Sequence, residues 1–191
     1  MKFISLFFLL LTCLLPSRTA KAMPYVFTRL QASNGLSDNQ VQHILQLPDG
    51  RMVFTTRGNI NLYDGMRFHY MHRNDSDVYT LDHYRGAYHV YVGDHDRLWV
   101  KDYRRMWCLD LRHERYLKHP EKVFRDMGLK ETGTDFFVDS EKGLWLFTST
   151  GLWDGERKCY LSLNGHEGEL QDVEVQDEPL YLFFSSGEMS C

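Results

Sequence analysis

The sequence predicts an all-β protein, a partial β-propeller of about three to four antiparallel blades in an incomplete ring. Three observations predict it. A block of residues recurs at a fixed spacing. Within each block, apolar and polar residues alternate as strands with two different faces require. Turn-forming pairs such as Asp49-Gly50 stand between the runs.

The register can be followed without gaps. Met52, Leu98 and Leu144 are 46 residues apart, and so are Val53, Trp99 and Trp145. Phe54, Val100 and Leu146 align next, then Asn59, Arg105 and Gly151, then Ile60, Met106 and Leu152. A tighter fourth copy follows 36 residues on, with Leu180, Tyr181 and Gly187 in the corresponding places. The copies are expected at about 37–84, 85–131, 132–167 and 168–191, within a propeller region 23–191. In each, a strand precedes the turn: Val41–Leu47, Tyr88–Val92, Thr134–Asp139 and Leu170–Gln176. Asn59 and Gly151 occupy the second turn, where a positive φ is expected. A further strand follows, as in "NLYDGMRFHYMH" from Asn61. A unit of 35–46 residues with three or four strands has the size of a propeller blade. An all-β sandwich would explain short strands but not a fixed period.

Composition agrees. The chain has 191 residues, 43% hydrophobic and 14% aromatic, with mean hydropathy −0.43 and five prolines. That describes an ordered domain rich in strand formers. Residues 1–22 read as a secretory signal: Met1-Lys2, the apolar run Phe3–Leu15, Pro16-Ser17, then Ala20-Lys21-Ala22 with cleavage after Ala22. An uncleaved anchor is the alternative, but the run falls short of the roughly 20 residues a bilayer needs. Lipidation at Cys13 is a third reading, poorly matched by Thr12. Cleavage takes three basic residues and leaves 19 against 26 acidic, a net −7. No basic stripe survives, so nucleic acid is not expected as a partner. Cys108, Cys159 and Cys191 suit no zinc motif, leaving one disulfide or free thiols open.

Several stretches resemble the two-component regulator propeller repeat: "GLSDNQV" at Gly35–Val41, "DGRMVFTT" at Asp49–Thr56, "YDGMRF" at Tyr63–Phe68 and "KGLWLFTSTGL" at Lys142–Leu152. In copy two, Lys101-Asp102 stands where that family has Gly-Thr, which puts the inner packing of that blade in question. The resemblance implies a periplasmic sensor region of a hybrid two-component histidine kinase from Bacteroidetes-type bacteria, many of which sense glycan breakdown products. It implies a strand near Tyr25–Leu30 that completes the last blade, and more blades than are counted here. The chain is therefore expected to be an amino-terminal piece of a longer sensor, or a truncated product.

No kinase motif and no Gly-x-Ser-x-Gly elbow is present, so the chain is not expected to be an enzyme by itself, nor to carry a cofactor or metal. "GDHDR" at Gly93–Arg97 offers Asp94, His95 and Asp96 as a metal nook, but reads better as a hairpin tip. His113 and His119 are six apart and are assigned no metal. Asn74-Asp75-Ser76 fits a glycosylation acceptor pattern, here a polar loop. In propellers, ligands meet loops that lead into the innermost strand and loops that join the second strand to the third. Those loops hold Asp38, Asn39, Arg57, Asn59, Tyr84, Arg85, Tyr103, Arg104 and Arg105, the candidate contacts. Ser37, Thr132, Thr134 and Asp135 lie in the same loops. Aromatic rings with Arg, Asn and Asp suit a sugar, and Tyr103–Arg105 suits an acidic one. Capping of turns and simple solvation are the competing roles. The expected partners are an oligosaccharide and the rest of the sensor, its missing blades and kinase parts, or a dimer partner. A secreted propeller scaffold that binds a protein by strand addition is the alternative function. A propeller lyase or lactonase is a more distant one.

Overall fold

The computed structural model describes residues 27–57, 59–82, 88–139, 141–175 and 179–191. The chain divides into two units, Met1–Leu30 and Gln31–Cys191. In the first, residues 27–30 hold no strand. The rest of the strand expected near Tyr25–Leu30, and the signal segment 1–22, lie outside the described residues.

Alternating residues in the second unit form four antiparallel sheets, met in chain order. The first is β1 (Val41–Gln46), β2 (Met52–Thr56), β3 (Asn59–Tyr63) and β4 (Phe68–Met71), paired in that sequence. The second contains β5 (Tyr79–Thr80), β6 (His89–Gly93), β7 (Arg97–Asp102), β8 (Arg105–Asp110) and β9 (Arg115–Tyr116). Here β6, β7 and β8 run side by side, and both β5 and β9 pair with the far edge of β8. The third is β10 (Asp135–Val138), β11 (Leu144–Phe147), β12 (Gly151–Asp154) and β13 (Cys159–Ser162). The fourth is β14 (Leu170–Val175), β15 (Leu180–Phe184) and β16 (Met189–Ser190). Together they make an all-β partial propeller with no closed barrel.

The repeat register has a direct packing meaning. Side chains on a strand point alternately to opposite faces. Leu98, Val100, Trp107 and Leu109 of the second sheet pack with Val53, Ile60 and Leu62 of the first. Trp99, Met106 and Cys108, one position out of phase, pack with Phe136, Leu144 and Leu146 of the third. Trp145 and Phe147 of the third sheet pack with Leu170, Leu182 and Phe184 of the fourth. Val53, Trp99 and Trp145 therefore do the same work: each faces the following sheet. Burial on both faces explains the unbroken apolar runs "LWV" and "LWLF".

The recurrent Asp that closes the second hairpin has a local cause. Asp64 accepts the N–H groups of Met66 and Arg67, both at 2.7 Å. Asp110 accepts those of Arg112 and His113, and Asp154 those of Glu156 and Arg157. Each carboxylate caps the turn to the outer strand.

Three features depart from expectation. Asn59 and Gly151 are not in the left-handed region; both begin strands, and in copy two the positive φ falls on Tyr103 (57°). Gly151 is required for another reason, since a Cβ there would collide with the Leu161 carbonyl and the Tyr160 ring. A helix, α1 (Glu121–Asp126), precedes the third sheet and sends Val123 and Phe124 into the core between sheets two and three. Finally, β5 lies within residues 37–84 of the sequence repeat yet pairs in the second sheet.

Lys101 fits its place after all. Its ammonium donates to Asp135 Oδ1 at 2.8 Å and to the Phe136 carbonyl at 3.3 Å, with Lys101 only 3% exposed and Asp135 0%. A buried charge needs such a partner. The pair ties β7 of one sheet to β10 of the next.

Candidate ligand-binding face

In each sheet the first strand is followed by a hairpin, so the lead-in loops and the corners between second and third strands share one end of the sheets. The tips between first and second strands lie at the other end.

One station on the first strands stands out at the lead-in end. His43, His89, Asp135 and Asp172 pair with Thr55, Lys101, Phe147 and Phe183, the same rung in every sheet. His43 stacks on Tyr88 with centroids 5.0 Å apart. Its ring lies 6.5 Å from His89, which lies 4.3 Å from Tyr91. Burial lowers the pKa of His89, as do the charges of His43 and Lys101, against the pull of Asp172. Burial pushes the Tyr88 phenol up, with a hydrogen bond to Thr55 opposing. Aromatic faces beside polar hydrogen-bonding groups can hold a sugar ring by its apolar face and fix its hydroxyls. This station was missed in reading the loops alone. A signal was present: His43, His89 and Asp135 keep the 46-residue spacing of the core register.

The expected contacts occupy the same end. Asp38 accepts the Gln40 N–H at 2.7 Å, and Asn39 accepts the Ala32 N–H at 2.8 Å, so both shape the first lead-in loop. Arg57 is exposed at the β2–β3 corner, and Asn59 accepts the Tyr70 hydroxyl at 3.1 Å. Tyr103 is 73% exposed at the β7–β8 corner. The Arg104 carbonyl accepts the Leu81 N–H, and Arg105 donates to Asp102 at 2.7 Å. Each of these bonds closes within its own loop or sheet. Tyr84 and Arg85 lie outside the described residues.

The other end carries a groove of about 640 Å³ lined by Asp49, Arg51, Asp94, His95 and Arg112 among others. None of the seven expected contacts among the described residues lines it. Its two arginines are both paired. Arg51 bonds Asp49 at 2.8 Å and Glu114 at 2.7 Å, and Arg112 bonds Asp96 at 2.9 Å. The Arg51 hydrogen bond holds the Asp49 carboxyl below the usual range. "GDHDR" forms a hairpin tip with His95 and Asp96 both at positive φ. His113 sits in a turn against Asp110, and His119 in the turn before α1, rather than on one strand. No cluster of three or more metal-ligating side chains occurs among the described residues. Cys108 is buried, and burial raises its thiol pKa; Cys159 and Cys191 are exposed, and all three are free.

No family model matches the chain, and no curated protein does. Solved structures do. The extracellular domain assigned to the hybrid two component system BT3049 of B. thetaiotaomicron aligns with a TM-score of 0.51 at 20% identity. That alignment covers 87% of this chain and 25% of the other, so this chain spans about a quarter of its neighbour's length. The extracellular domain assigned to BT4673 of the same organism aligns over 78% of this chain and 22% of its own, with 16% identity and a TM-score of 0.43. The first likeness shows the fold alone. Among the described residues, no helix is long and apolar enough to cross a membrane.

Proposed function

We propose that this chain is a ligand-sensing propeller segment of a two-component signalling receptor, acting outside the cytoplasm and recognising an oligosaccharide. The observation that carries the reading is the shared fold with the BT3049 extracellular domain over 87% of the chain. The repeat motifs at Gly35–Val41 and Lys142–Leu152 and the signal-like first 22 residues support it. On this reading the chain binds and does not catalyse. The saccharide lies over Tyr88, His43 and His89, whose rings are already grouped, and the corners at Arg57 and Tyr103–Arg105 reach its polar groups. Binding energy then passes to the rest of the receptor as a shift between two states.

Calorimetry of the full chain against plant and host oligosaccharides tests this. One saccharide class should give saturable heat, and Tyr88→Ala should weaken it roughly tenfold. A chain folded by circular dichroism that gives no heat with any saccharide would overturn the reading.

A further inference from the structure

The outer seam between the first and second sheets contains three buried polar atoms without a hydrogen-bond partner: Arg73 Nη1, Trp107 Nε1 and Tyr116 Oη. Trp107 is 1% exposed and Tyr116 8%. They are grouped. Tyr116 lies opposite Leu109 in the β8–β9 pair, so Trp107 is two residues along on the same face. Both belong to the core shared with the first sheet. The Arg73 guanidinium stacks on the Trp107 ring, its carbon 3.9 Å from the centroid. Its charge also acts on the Tyr116 phenol, which burial pushes up to about 12 and Arg73 pulls back. The phenol therefore stays a donor at any ordinary pH.

A groove of about 430 Å³ leads from the surface to Tyr116, past Tyr70, His72, Asn74 and Lys118. Its two acids are already engaged. Asp77 accepts the Asn74 N–H at 2.8 Å, and Glu114 holds Arg51 at 2.7 Å and His69 at 3.5 Å. Its cations include Arg115 and Lys118. Buried donors left without an acceptor keep the full cost of losing water. Of the three residues Tyr116 lines the groove, and the Arg73 guanidinium that stacks on Trp107 and acts on Tyr116 is planar, the shape that matches a carboxylate best.

We propose that this seam binds the carboxylate of a small organic acid, with Arg73 as its counter-charge and Trp107 Nε1 and Tyr116 Oη as donors. The body of the acid lies in the groove toward Lys118. Tyr88 of the lead-in station packs against the same core and feels the Arg73 charge, so the two sites adjoin; this proposal rests on the unpartnered donors and not on the sensing reading.

The indole N–H resonance of Trp107 in the ¹⁵N-labelled full chain, assigned with Trp107→Phe, reports on it directly. Sodium acetate and sodium glucuronate are each titrated against sodium chloride at matched ionic strength. Both carboxylates should move the resonance saturably and chloride should not. Equal affinity for the two identifies the carboxylate alone as the ligand, and tighter glucuronate binding identifies a sugar acid that also fills the groove. Arg73→Gln should weaken binding roughly tenfold or more. The near-isosteric Tyr116→Phe should weaken it several-fold, and it provides the same test where the arginine variant does not fold. A response common to chloride, no saturable response, or unchanged affinity in both folded variants overturns the proposal.

Discussion

The buried Lys101–Asp135 pair is the feature with the sharpest consequences for a single residue. Two charges held out of water are tolerable together and costly apart. Lys101→Met leaves the buried Asp135 carboxylate without its counter-charge, while the Phe136 N–H still donates to it at 2.8 Å. Urea unfolding should show a loss of about 3–5 kcal/mol for this variant. The double variant Lys101→Met/Asp135→Leu should recover most of it, since no charge is then left buried. A double loss equal to the sum of the single losses would mean the two groups do not interact. His89 supplies a pH dependence. Its folded pKa lies below the ordinary 6.5, because burial, His43 and Lys101 disfavour the charged ring more than Asp172 favours it. Above 6.5 the ring is neutral in both states. As pH falls, the unfolded chain takes the proton first, so stability declines from pH 6.5 down through the lowered folded value. His89→Gln should shrink the difference between urea midpoints at pH 7 and pH 5. An unchanged or larger difference would place that acid sensitivity elsewhere.

At the scale of elements, the hairpin between third and outer strands depends on one carboxylate. The three caps, Asp64, Asp110 and Asp154, do the same work in different surroundings. Asp154 is the buried one, at 4% exposure. Its removal leaves two N–H groups to compete for water that reaches Asp64 easily and Asp154 poorly. Asp154→Ala should therefore lower stability by about 1–2 kcal/mol, and Asp64→Ala by less. Thermal melts of the two variants decide it, and equal losses would show that burial at the turn is irrelevant. These caps are legible in the sequence, where Asp64, Asp110 and Asp154 each close a second apolar run, because a turn is a local event. Other elements were not visible, and for physical reasons. The helix α1 is six residues long, too short to display a full apolar stripe, and Val123 and Phe124 take their places from Trp99 and Phe136 in other strands. The two residues of β5 carry no alternation to read. The positive φ expected at Gly151 is absent; what demands glycine there is crowding by Tyr160 and Leu161 on the neighbouring strand.

At the scale of the whole molecule, the stacking of sheets was the most legible property. Phase along a strand decides which neighbouring sheet a side chain meets, and a constant 46-residue spacing carries that phase from copy to copy. The candidate site was half legible. Loop positions at Arg57, Asn59 and Tyr103–Arg105 follow from topology, while the grouping of His43, Tyr88 and His89 depends on two sheets meeting and has no local mark. The link from the first sheet to the second adds a mechanical property. The chain leaves β4, lays β5 along the rim edge of β8, and only then crosses to β6 on the opposite edge of the same sheet. The second sheet is thus bordered on both edges by strands that are neighbours in the sequence. Tension pulling the first sheet off the second should therefore load the two-residue β5–β8 pairing first.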